Sequence, residues 1–199
     1  MSNEFWNKRY GEAAFAYGQA PNDFVREVLG QLPRSSTLCL GAGEGRNAVF
    51  LAQHLGPVTA VDQSSVGLAK AQELARTAGV ELTTDVADLG DYRFGKDWSV
   101  ITSIWAHVPP NVRARVHAEV VDALAPGGAF VLEAYTPDQV GRGTGGPPNA
   151  SLTTTLAELR EQLPGLDFVI GREVERDVRE GAHHNGMSAV VQLLAVKPA

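Results

Sequence analysis

A single cysteine, Cys39, stands in the 199-residue chain, which excludes an intrachain disulfide and any metal cluster built from several thiolates. No metal site is expected. Basic residues are the scarcer charge, 17 Lys plus Arg against 23 Asp plus Glu, for a net charge of −6. That balance argues against a broad surface tracking nucleic-acid phosphates, so no nucleic-acid partner is expected. Long hydrophobic runs are missing too. No stretch approaches the ~18 apolar residues of a membrane span, and the opening MSNEFWNKRYGE lacks the apolar core of a secretory leader. The expectation is a cytoplasmic protein without a membrane partner. There is no internal repeat and no low-complexity tract. Aromatics make up only 7% of the chain, yet Trp6, Tyr10, Phe15 and Tyr17 crowd its start. What remains is ordinary, 44% hydrophobic and 20% charged, at a length that suits one domain with a sizeable core.

Short β-rich runs alternate with helical patterns. The runs are TLCLG at Thr37, VTAVD at Val58, VELTTD at Val80, WSVITSIW at Trp98 and AFVLEAY at Ala129. Between them, Ala48, Leu51, Ala52 and Leu55 recur at helical spacing, as do Ala71, Leu74, Ala75 and Ala78, and then Val112, Val116, Val120 and Leu124. Ser64 or Ser65 is a natural N-cap, and Pro109 and Pro110 stand where the third helix should begin. Such alternation means right-handed βαβ units and a parallel sheet covered on both faces. After Thr136 comes a Gly/Pro-rich loop to Ser151, then a helix over 152–163. Two further strands, near 168–178 and 187–196, are expected to form an antiparallel hairpin around the turn signal HHNG at His183. The expected fold is α/β: a doubly wound, mostly parallel seven-stranded sheet with a C-terminal antiparallel hairpin. Residues 1–32 form an N-terminal helical segment ahead of a sheet core over 33–199, all one domain.

The chemistry concentrates in LGAGEGRNA. A strand, a glycine-rich turn and a helix place backbone N–H groups at the carboxyl edge of the sheet, the usual nucleotide crevice. Gly41, Gly43 and Gly45 alternate, whereas a dinucleotide fingerprint needs its third glycine where Arg46 stands, and the phosphate-gripping loop ending in G-K-S/T is absent. Glu44 would repel a pyrophosphate and would suit a cationic, phosphate-free nucleoside. S-adenosylmethionine, with a sulfonium and an ammonium, is such a ligand. Asp62 ends the second strand, where an acid accepts hydrogen bonds from ribose hydroxyls or else caps the next helix.

These motifs resemble those of the class I S-adenosylmethionine-dependent methyltransferases, and within them the small tellurite-resistance and thiopurine-type enzymes. The resemblance rests on LCLGAGEGRNAVFLA, VTAVDQS, VADL at Val86 and LAPGG at Leu124, with WNKRYGE and YGQAPN near the start. It covers nearly the whole chain and implies a Rossmann-like methyltransferase fold with S-adenosyl-L-methionine as cofactor and S-adenosyl-L-homocysteine as product. Gly41, Gly43 and Gly45 would then approach the methionine part, Asp62 the ribose, and Asp88 and the backbone N–H of Leu89 the adenine, with Ala42, Arg46, Asn47, Gln63 and Ile104 also in the cofactor site. Asp85 competes with Asp88 for the adenine amino group. Many members have an acid where this chain has Cys39, which reads here as a small buried hydrophobe.

The acceptor belongs at the same strand-end rim. Tyr17 from the start of the chain, Trp105 and His107 after the fourth strand, Tyr135 and Arg142 around the long loop, and His183 and His184 at the hairpin turn are the candidates for its contacts. His107 is the candidate catalytic base. The expected acceptor is a small molecule (a thiol, a chalcogen oxyanion or another metabolite) methylated by direct in-line transfer, in a monomer or homodimer. Two other readings stand beside it: a nicotinamide-dependent oxidoreductase, and a non-catalytic sensor of S-adenosylmethionine or S-adenosylhomocysteine.

Overall fold

The computed structural model describes residues 2–199. Seven strands form one sheet: β1 (Thr37–Leu40), β2 (Val58–Asp62), β3 (Leu82–Val86), β4 (Trp98–Ile104), β5 (Leu124–Tyr135), β6 (Asp167–Glu180) and β7 (His184–Val196). Their order is β3-β2-β1-β4-β5-β7-β6. Strands β1 to β5 pair in parallel, and β7 runs antiparallel to both β5 and β6. The last strand therefore lies inside the sheet, between two earlier ones.

Alternation along β1 shows why both faces are covered. Leu38 and Leu40 join a buried cluster with Val116, Val120 and Leu159, from helices α5 (Pro110–Ala123) and α6 (Leu156–Gln162). Cys39 points the other way, among Phe24, Val25 and Leu51, which belong to α2 (Asp23–Val28) and α3 (Arg46–His54). Burial pushes the Cys39 thiol up to about 12, so it behaves as a small apolar side chain. Helix α4 (Ser65–Thr77) starts where Ser64 Oγ accepts from the N–H of Gly67 at 3.0 Å. Pro110 opens α5 at a position where its missing N–H costs nothing. Helix α6 carries a complete capping box of Thr155 and Glu158.

Some boundaries differ from the sequence expectation. The last helix begins at Leu156, because residues 150–152 form a separate tight turn. The loop after β5 is held by a buried Gln139, whose amide donates to Thr144 Oγ1 and Gly145 O at 2.9 Å while its oxygen accepts from Ala189 N. The hairpin turns at 181–183, and Asn185 and Gly186 lie within β7. A Cβ on Gly181 would sit 2.5 Å from Ala16 O, so tertiary contact with the start of the chain places that turn.

Between β1 and β4 the chain switches from building one half of the sheet to building the other. Their carboxyl ends open the crevice where ligands of such sheets bind.

Candidate active site

The glycine loop follows β1. Gly43 has φ +54, a conformation only glycine adopts cheaply, and its N–H donates to Asp62 Oδ2 at 2.8 Å. The other oxygen of Asp62 accepts from Ser64 N at 2.8 Å. Burial raises the Asp62 carboxyl above its ordinary value, while these N–H donors pull it back. Asp62 thus ties the loop to the start of α4 and also faces the cleft.

That cleft has two lobes. A cavity of about 220 Å³ is lined by Asp62, Gln63, Asp88 and Leu89. A larger one of about 370 Å³ is lined by Gly41, Ala42, Gly43, Asn47, Ile104 and His184, among others. Trp6, Tyr10, Gly41, Trp105 and His107 border both, so the lobes adjoin. Trp6 and Tyr10 come from α1 (Asn3–Tyr10), which covers the loop. Tyr10 packs so closely that a Cβ on Gly43 would lie 2.8 Å from its hydroxyl. Ser64 Oγ donates to Asn7 Oδ1 at 2.6 Å, and Lys70 Nζ donates to Glu12 O and Ala14 O.

Glu44 completes this fastening. Its buried carboxylate accepts from Ala16 N at 2.8 Å and pairs with Lys70 at 2.7 Å. Glu44 also lines the larger lobe, while Lys70 pairs with its charge and the Glu44 side chain holds the N-terminal segment over the loop.

Beneath the larger lobe lies a buried polar network. Glu133 accepts from Arg176 Nε (2.8 Å), Gln192 Nε2 (2.6 Å) and Asn22 Nδ2 (2.5 Å). Glu180 accepts from Arg46 Nη2 (2.5 Å), Asn22 Nδ2 (2.8 Å) and Trp105 Nε1 (2.6 Å). Burial alone pushes the Glu180 carboxyl up, but the His184 ring 3.9 Å away, Arg46 and Trp105 together hold it at about 2. Trp105 has φ +58, costly for a bulky L-residue. It is kept there by the Glu180 bond and by stacking on Tyr135, with ring centroids 4.4 Å apart.

The structure brings most of the expected residues together. Gly41, Ala42, Gly43, Arg46, Asn47 and Ile104 line the larger lobe, with Tyr17, Trp105, His107 and His184 across from them. Asp62, Gln63, Asp88 and Leu89 line the smaller one. Asp85 is engaged elsewhere, accepting from Tyr92 Oη at 2.8 Å. Gly45 sits behind the loop as the N-cap of α3, packed against Ala71. Arg142 departs from expectation: it pairs with Glu175 at 2.6 Å on the outer surface, because its own loop folds back on β6. Tyr135 is fully buried behind Trp105, supporting the wall rather than forming it. His183 lies outside the lining, its ring 5.8 Å from Tyr17. His107 faces the cleft with part of its ring, but its Nε2 is enclosed without a partner. Burial lowers its pKa to about 3, which makes it a poor base. Burial also lowers His184 below its ordinary range.

Sequence reasoning missed Asn22, Glu133, Arg176, Glu180 and Gln192. One signal was available: Glu133 interrupts the apolar run AFVLEAY, and a buried strand tolerates such a residue only with partners.

Residues 37–128, from β1 to the turn before the buried part of β5, match a family model described as a methyltransferase domain. No curated protein sequence matches this chain. Several solved structures share its fold at low identity. One is a protein of echinomycin biosynthesis connected with conversion of a disulfide bond into a thioacetal group. It is 16% identical with a TM-score of 0.76, over 98% of this chain and 92% of that one. TehB from Haemophilus influenzae is 18% identical with a TM-score of 0.73, over 98% of this chain and 66% of its own. The N-methyltransferase NodS from Bradyrhizobium japonicum WM9, in complex with S-adenosyl-L-homocysteine, is 15% identical with a TM-score of 0.73, over 99% and 98%.

The matched stretch holds the glycine loop and both acids of the smaller lobe, and the fold extends the likeness to the whole chain. Residues 37–128 thus match a methyltransferase domain, and the chain shares its architecture with TehB.

Proposed function

We propose that the chain is an S-adenosylmethionine-dependent methyltransferase, acting on a small-molecule acceptor that reaches the cleft already able to attack: a thiolate, a chalcogen oxyanion or a comparable metabolite. The observation that carries the reading is the enclosure of the cleft's imidazoles: His107 Nε2 is buried without a partner, His184 is buried against Glu180, and burial lowers both below the ordinary imidazole value. A neutral hydroxyl needs a base to take its proton. A thiolate or oxyanion does not.

The residues of the cleft fit the cofactor. Side chains are excluded at Gly41 and Gly43, where a Cβ would meet Ala106 or Tyr10, leaving backbone for close approach. The buried Asp62 and the neighbouring Asp88 border the smaller lobe and offer carboxylate oxygens to ribose hydroxyls and an adenine amino group. When bound, S-adenosylmethionine supplies a methyl group activated by its sulfonium. The protein's part is to hold the acceptor in line and keep water out. Trp105, His107, His184 and Tyr17 form a largely aromatic wall across from the glycine loop, and α1 shields the loop from above. A cavity of about 370 Å³ roofed in this way favours a metabolite over a macromolecule. The echinomycin relative, connected with a disulfide and a thioacetal, is an example of sulfur chemistry on this fold.

Parallel calorimetric titration with S-adenosylmethionine, S-adenosylhomocysteine and NAD, followed by turnover on thiols and chalcogen oxyanions, tests the proposal. Binding of both adenosyl ligands but not NAD, with methylated acceptor formed at neutral pH, is the expected result. Turnover confined to neutral alcohols would refute the acceptor class, and tight binding with no product from any acceptor would leave a sensor.

A further inference from the structure

The buried network under the larger lobe holds two carboxylates, and only one of them touches the wall of the cleft. Glu133 is held by Arg176, Gln192 and Asn22, none of which borders either lobe. Glu180, the last residue of β6 and 5% exposed, borders neither lobe itself. Yet Arg46, Trp105 and His184 around it all line the larger one. Its Oε2 accepts from both Arg46 Nη2 and Trp105 Nε1, while Oε1 accepts from Asn22 Nδ2. Arg176 Nη2 stands 3.4 Å from Oε1. Each of these four neighbours is a donor, so an ionised carboxylate satisfies them all. An amide would set its own N–H groups against some of them.

Through Trp105 that carboxylate reaches the chemistry. The indole borders both lobes, so its placement shapes the space in which an acceptor meets the methyl group. Tyr135 stacks behind it at 4.4 Å, and the His184 ring meets it edge-on at 5.3 Å. Packing of this kind fixes the plane of an indole but hardly discriminates between its edges. The indole has one polar atom, a donor, and its bond of 2.6 Å to Glu180 selects the edge. The same bond anchors a residue whose φ of +58 is strained. We propose that Glu180 is a positioning residue for methyl transfer: from outside the cleft it fixes the Trp105 ring, and through that ring the line along which the acceptor approaches the sulfonium. This inference rests on the reading that the cleft binds S-adenosylmethionine and methylates a small acceptor. In that step the acceptor's electron pair forms the new bond to the methyl carbon. The carbon–sulfur pair passes to the sulfonium sulfur, which leaves as a neutral thioether. In-line attack is sensitive to small displacements, so loss of the Glu180 bond slows transfer more than it weakens binding.

The test compares Glu180→Gln and Glu133→Gln with the wild type. Three quantities are measured: S-adenosylhomocysteine affinity, steady-state methylation of thiophenol and of selenite, and the indole N–H resonances in NMR spectra. The chain has three tryptophans, and Trp105→Phe identifies the signal that belongs to Trp105. In Glu180→Gln, kcat should fall about 10- to 100-fold while KM and the S-adenosylhomocysteine Kd change little. The Trp105 N–H signal should move upfield as its charged acceptor is lost. Glu133→Gln should lose stability but keep kcat and the Trp105 signal. An unmoved Trp105 signal, an unchanged kcat, or equal losses of kcat in both variants would overturn the inference. So would a loss of kcat matched by a loss of S-adenosylhomocysteine affinity, which would trace the effect to Arg46 and the glycine loop. If Glu180→Gln does not fold, Glu180→Asp keeps a carboxylate beside Arg46 but shortens its reach to the indole, and the same readouts apply. Failure of the wild type to bind S-adenosylhomocysteine would instead refute the cofactor reading. A wild type that binds it but methylates neither thiophenol nor selenite would refute the acceptor reading, with the Trp105 signal still testing the placement.

Discussion

Asp62 and Gly43 share one hydrogen bond, and each is exposed to a different test. Asp62→Ala removes an acceptor for Gly43 N, one for Ser64 N and the proposed acceptor for the ribose. The folded variant should bind S-adenosylhomocysteine at least ~10-fold more weakly by calorimetry; unchanged affinity would take Asp62 out of the cofactor site. Gly43→Ala acts on the fold instead. A left-handed φ and a Cβ lying 2.8 Å from Tyr10 Oη should lower stability by about 1–2 kcal/mol in urea unfolding. Both residues were legible in the sequence, since a strand, alternating glycines and an acid ending the next strand are local signals. Glu44 was legible as a loop residue, but its part in fastening the N-terminal segment was not. Its partners Ala16 and Lys70 are distant in the chain, and nothing local announces them.

The same contrast governs whole elements. The parallel strands and their helices declare themselves through apolar periodicity, which each segment carries by itself. The hairpin turn does not. Asn185-Gly186 has the composition of a two-residue turn, yet Glu180 pairs with His184 because Gly181 is pressed against Ala16 and Tyr17. The buried network is hidden for the same reason, as it joins α2, α3, β5, β6 and β7 through partners more than a hundred residues apart. Its energetics can be probed at Arg46. Removing one partner of a buried pair leaves the other charge uncompensated, at about 3–5 kcal/mol. Arg46→Met should therefore be strongly destabilised in chemical denaturation. The double variant Arg46→Met/Glu180→Gln should recover part of that loss, since no bare carboxylate remains. A double variant no more stable than Arg46→Met would mean that Trp105 and Asn22 already satisfy Glu180.

For the molecule as a whole, the buried imidazoles set the response to acid. His117 is 2% exposed, with Nδ1 2.7 Å from Gln162 Oε1, and burial lowers its pKa from 6.5 to about 4. The unfolded chain takes up a proton near 6.5 that the folded chain refuses. Stability is therefore complete above that value and declines as pH falls toward 4. Between about pH 8 and pH 5 His117 should account for about 2 kcal/mol of lost stability, and His107 adds a loss of the same sign. Denaturation curves of His117→Gln at the two pH values should show a correspondingly smaller drop; an unchanged drop would place the acid sensitivity elsewhere. Below about pH 4.5 the ion-paired Glu180 adds a further decline. The position of β7 has one more consequence, which concerns synthesis. The strand made last must enter between β5 and β6, and it brings Gln192 to Glu133. On the ribosome, a chain lacking residues 184–196 has an open β5 edge and a buried acid short of a partner. The cleft floor under Trp105 cannot be finished until that strand emerges, because His184 and Gln192 belong to it.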